Sequence, residues 1–173
     1  MSWFSPLRMR PRLLAALLPL ALAGCLQPLY GTLGAGGLER ELQAIEVMPI
    51  NDRVGHYVAN ELIFGLNGSR EVVPPKYRLV VALRERVQTP ILDTVAGRST
   101  AATIIVDADY QLLPVAGGKP ILTGTAFGAV SYDRFAQRIS NVQAARDGEQ
   151  RNARVVADQI RQQIANHFAG RAS

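Results

Sequence analysis

The chain has 173 residues, a formal net charge of +5 and a single cysteine, so no disulfide can form within it. The positive charge is uneven. Arg8, Arg10 and Arg12 precede any acidic residue, and without residues 1–24 the charge falls to +2, which removes the main argument for nucleic-acid binding.

Those first residues read as a targeting segment. A basic stretch leads into the ten apolar residues Leu13 to Leu22, too few to span a bilayer as a helix. Ala23 and Gly24 follow, then the lone Cys25, giving the order Leu-Ala-Gly-Cys. Cys25 has no Cys partner for a disulfide, and neither His56 nor His167 is near it in sequence, so a catalytic thiol or a metal site has no support there. The segment looks like the lipobox of bacterial lipoproteins. That likeness implies cleavage before Cys25 and a diacylglyceryl and N-acyl lipid on it, the paired-chain condition for stable anchoring. We therefore expect residues 1–24 to be a removed signal peptide and residues 25–42 a lipidated, glycine-containing tether. Residues 43–173 are then expected to form one α+β domain.

Within that domain, Gln43 to Ile50 alternates as a first strand. Asn51 or Asp52 then stands where a helix cap belongs, and Val54, Val58, Leu62 and Leu66 recur at four-residue steps through a first helix. Tyr77, Leu79, Val81 and Leu83 alternate with Arg78, Val80, Ala82 and Arg84 in a half-buried strand. Ala102 to Leu112 alternates likewise, with Asp107 and Asp109 on its polar face. A turn at Ala116 to Pro120 leads to a threonine-rich strand of undecided face. The end is an amphipathic helix carrying Val156, Ile160, Ile164 and Phe168, with a break expected near Gly148 and a stop near Gly170.

The order β-α-β-β-β-α, with short connections between the later strands, predicts a two-layer α+β sandwich. Its sheet would have four mainly antiparallel strands, with two helices on one face.

Few side chains suggest chemistry. Asp107 and Asp109 could serve acid–base work or a metal, but on a strand they are better placed to pair with Arg84 or Arg86 opposite. His56 and His167 read as ordinary helix residues. We expect no catalytic residue, no enzyme activity, no metal and no cofactor beyond the lipid on Cys25.

The lipobox followed by Pro28-Leu29-Tyr30-Gly31, the strand entering "NDRVGHYVANEL", the Tyr-Arg-Leu strand and "SYDRFAQRIS" before an Arg- and Gln-rich helix together resemble the lipopolysaccharide-assembly lipoprotein family LptE, in its alphaproteobacterial form. The resemblance implies an outer-membrane lipoprotein on the periplasmic side that partners the β-barrel LptD, acts as its plug, and binds lipopolysaccharide. An anionic lipopolysaccharide head would be met by arginine or lysine. The expected contacts, chosen on chemistry, are Arg84, Arg86, Arg98 and Lys119. The alternative is an auxiliary or binding lipoprotein of another envelope lipid-transport system of the ABC type.

Overall fold

The computed structural model describes residues 37–68, 73–89, 92–93, 98–99, 101–134 and 137–171. The targeting segment, Cys25 and the Pro28–Gly31 motif lie outside the described residues. Within these described residues nine elements follow in chain order. They are α1 (Gly37–Gln43), β1 (Ile45–Val47), α2 (Arg53–Leu66), β2 (Tyr77–Gln88), β3 (Leu92–Asp93), β4 (Arg98–Ser99), β5 (Ala101–Pro114), β6 (Leu122–Asp133) and α3 (Arg138–Arg171).

The main sheet has the order β1-β2-β5-β6, with β1 parallel to β2 and the other neighbours antiparallel. The helices cover one face, so the expected two-layer α+β sandwich is the fold. Alternation sets the faces. Leu79 and Val81 on β2 and every second residue from Ala102 to Leu112 on β5 are buried. They face the helical layer, in which Val58 and Leu62 of α2 and Val156, Ile160 and Ile164 of α3 are each fully buried or nearly so. Each such aliphatic side chain contributes about 1.5–3 kcal/mol.

Four details differ from the sequence reading. Residues 37–42, expected to end the tether, belong to α1. Leu38 and Leu42, one helical turn apart, are both buried, and the neighbouring glycines masked that pair. Asp52 occupies the cap position of α2 but makes no capping bond through its side chain, and it sits at a φ of 71°, the left-handed region that non-glycine residues seldom use. The two-stranded β3–β4 ribbon lies in the connection between β2 and β5. Finally, α3 runs unbroken through Gly148. A β-carbon there would stand 3.2 Å from Ile104 Cδ1, so this glycine permits close packing of helix on sheet.

The face of β6 left open by its sequence is decided by α3. Ala126 and Gly128 are buried beneath that helix. Asn152, fully buried, donates from Nδ2 to the carbonyls of Ile104 (2.9 Å) and Gly128 (3.3 Å). β6 is also a sheet edge, and α3 covers part of it. Gln159 accepts from the Phe127 amide and donates to its carbonyl, and Gln163 donates to the Thr125 carbonyl. Satisfying edge groups in this way blocks pairing with another strand.

Candidate functional site: the open face of the sheet

Among the described residues, no helix lies on the second face of the sheet. Its central feature is a charge ladder between β2 and β5. Arg84 donates to Asp109 at 2.7 Å and Arg86 to Asp107 at 2.6 Å, all four side chains being substantially exposed. The pairing expected for Asp107 and Asp109 is therefore present. Farther along, Thr103 and Ser131 share a hydroxyl hydrogen bond of 2.8 Å.

Toward the other end of this face lies a shallow depression of about 390 Å³, with Val80 and Ala82 on one side and Asp109, Gln111, Thr123 and Thr125 around it. Short apolar groups beside hydroxyl, amide and carboxylate groups make a wettable, hydrogen-bonding surface. No three metal-ligating side chains cluster among the described residues.

The four cations expected to meet an anionic head are not gathered in one place. Arg84 and Arg86 share the ladder. Lys119 lies exposed in the β5–β6 turn, beyond the end where Tyr77 pairs with Pro114, about 30 Å from Arg86 at strand rise. Arg98 is on β4, where its backbone is in register with Asp93 of β3 in the small ribbon. His56 is exposed on α2, and His167 stacks edge-on against Phe168.

A second polar group, missed in the sequence, sits on the helix side. Arg53 at the start of α2 grips Glu149 of α3 through two hydrogen bonds of 2.7 and 2.5 Å. The Glu149 side chain is only 5% exposed, whereas that of Arg53 is 59% exposed. The bond to Glu149 raises the Arg53 guanidinium above its ordinary value. Burial, and then the Glu149 charge, raise Glu85 above the usual carboxylate range. The two paired residues stand 96 positions apart, and no local pattern could have joined them.

The described residues thus define a small two-layer α+β domain with a packed helical side and one polar sheet face that none of its helices covers. Comparison with known proteins sharpens the class. No family model and no curated protein matches the chain. Solved structures do. The chain is similar to a protein designated a lipoprotein from Caulobacter crescentus CB15, with 25% identity and a TM-score of 0.66, covering 79% of this chain and 99% of that one. It also shares its fold with a minor lipoprotein from Acinetobacter baumannii, at 18% identity and TM-score 0.57, over 73% and 93% of the two chains. A third such structure is rare lipoprotein B from Shewanella oneidensis, at 12% identity and TM-score 0.55, over 75% and 97%. The fold is thus one found in bacterial lipoproteins, which suggests an envelope lipoprotein. No helix among the described residues is long and apolar enough to cross a membrane.

Proposed function

We propose that this chain is an outer-membrane lipoprotein of the LptE kind, acylated at Cys25, which partners a β-barrel of the LptD type in moving lipopolysaccharide to the outer leaflet. The observation that carries the reading is the likeness to the Caulobacter lipoprotein over nearly its whole length, in a chain whose own sequence holds a lipobox. The open face supports it. A barrel lumen is polar, and a domain seated in one needs a hydrogen-bonding exterior such as the Arg84–Asp109 and Arg86–Asp107 ladder with its flanking threonines. Each arginine has five N–H donors, so donors beyond those bound to aspartate can meet lipopolysaccharide phosphate.

Affinity purification of the tagged chain from envelopes in mild detergent, followed by mass spectrometry, tests the proposal. A large outer-membrane β-barrel in near-equal amount is the expected result. Recovery of an ABC transporter instead, or of no barrel, would overturn it in favour of an auxiliary lipoprotein of another lipid-transport system.

A further inference from the structure

The glutamines that bind the edge of β6 stop part of the way along it. Phe127 directs both its N–H and its carbonyl away from β5, where Gln159 accepts from the one at 3.1 Å and donates to the other at 2.9 Å. One turn later on α3, Gln163 donates to the Thr125 carbonyl at 3.1 Å. Along an antiparallel strand the backbone groups turn to alternate sides residue by residue. Ala129 and Ser131 therefore also present theirs outward, away from their β5 neighbours Ile105 and Thr103. Those outward groups have no hydrogen-bond partner among the described residues.

No third glutamine follows on α3. The helix runs against the direction of β6, rising about 5.4 Å per turn against about 6.6 Å for two strand residues, so successive turns meet successive outward residues. Gln163 stands at Thr125 and Gln159 at Phe127. The next rung back is Val155, level with Ala129, and then Arg151, level with Ser131. Val155 is 43% exposed and its side chain forms no hydrogen bond, while Arg151 is held by Asp147. On the open face of the sheet the Phe127 side chain is 52% exposed. The free edge thus has an apolar group on each side. A strand added there would lay the residue beside Val130 against Val155, and the residue beside Ala129 diagonal to Phe127.

Charge decides between occupants. Two copies paired across a two-fold axis at Ser131 would set their Arg151 side chains against each other, and like charges so opposed are destabilising. Arg134, directly after β6, and Arg138, opening α3, are exposed and have no ion pair among the described residues. This end of the edge therefore suits an occupant that carries a carboxylate.

We propose that the β6 edge at Ala129 and Ser131 is an interaction surface that takes an extended segment of another protein as a fifth strand of the main sheet. That segment has apolar residues at alternate positions and an acidic residue at the end near Arg134. In this mode backbone pairing supplies affinity and the alternate side chains supply specificity. The inference depends neither on acylation of Cys25 nor on the barrel.

The test follows amide exchange by NMR in the full chain purified in mild detergent, with and without a blocked peptide of alternating valine and threonine that carries a glutamate at each end. The amides of Ala129 and Ser131 are expected to exchange several-fold more slowly with the peptide present. That of Phe127, already bonded to Gln159, should change little. Val155→Gln adds a third rung at an exposed position; it should slow Ala129 exchange without peptide and remove the peptide's effect there. Ala129→Pro deletes an outward N–H, which an edge strand tolerates, and should abolish the slowing at Ser131 while Ala126 and Gly128 stay protected. No slowing by the peptide, equal slowing by a fully N-methylated peptide, or slowing at Ser131 that survives both substitutions overturns the proposal. Slowing that grows with protein concentration and needs no peptide would assign the edge to a second copy, and overturns it as well.

Discussion

Arg84 lies directly across the β2–β5 ladder from Asp107, yet its guanidinium reaches past that residue to Asp109. Arg86, opposite Ile105, takes Asp107 instead. Two diagonal pairs thus replace one direct pair and give each of the two aspartates a cation. Because these side chains are well exposed, the ladder has little to do with stability. Exposed pairs contribute only about 0.2–1 kcal/mol. Arg84→Ala with Arg86→Ala is expected to lower unfolding free energy by no more than about 1–2 kcal/mol in urea titrations, while reducing retention on immobilised lipopolysaccharide. Unchanged retention by the folded double variant would remove these arginines from the proposed contact.

The Arg53–Glu149 pair should respond unequally to loss of either partner. Removing Arg53 strands a carboxylate whose side chain is 5% exposed, whereas removing Glu149 frees a guanidinium already 59% in solvent. Breaking a buried pair by taking one partner costs roughly 3–5 kcal/mol, and Arg53→Ala should approach the lower part of that range. Glu149→Gln should cost distinctly less. Urea unfolding of the two variants checks the order, and equal losses would contradict it.

Glu85 supplies a pH signature. Its folded-state carboxyl is raised by burial first and by Glu149 second, so the folded protein binds this proton more tightly than the unfolded chain does. Stability from this group therefore falls as pH rises from the ordinary carboxylate range through the raised value. Glu85→Gln is expected to raise the melting temperature at neutral pH. The gain should shrink as pH drops through the raised value and vanish below the ordinary one. A gain that grows on acidification would have the opposite sign to this account.

Close approach of α3 to β6 depends on a missing side chain. A β-carbon on Gly128 would collide with Asn152 Oδ1 and lie 3.0 Å from Val156 Cγ2, and Asn152 is fixed by its two carbonyl bonds. Gly128→Ala should destabilise by about 1–3 kcal/mol, as overpacking does. Asn152→Ala should cost a similar amount by leaving buried carbonyls with fewer donors. Thermal unfolding of the single and double variants measures both, and the double should lose less than the sum because Asn152→Ala makes room for the added methyl group.

Gly148 shows how far the sequence could be read. Its pattern was helical on both sides, and the glycine suggested a break that the helix does not have, because Ile104 of β5 packs where a side chain would be. Gly37 and its neighbours likewise suggested tether where Leu38 and Leu42 anchor α1. Of the candidate site, the Asp107 and Asp109 pairing with Arg84 and Arg86 was legible because antiparallel neighbours are close in sequence. Arg53 with Glu149 was not, being joined only by helix packing.

The sequence by itself determined the lipobox signature, the inward faces of β2 and β5 and the apolar stripes of α2 and α3. Each is a local periodicity that burial reads directly. Only the tertiary structure decided which face of β6 is inward and how Gln159 and Gln163 close part of its edge. Those outcomes depend on where α3 crosses the sheet. The crossing is fixed by close packing among residues dozens of positions apart, for which a single chain of letters carries no period.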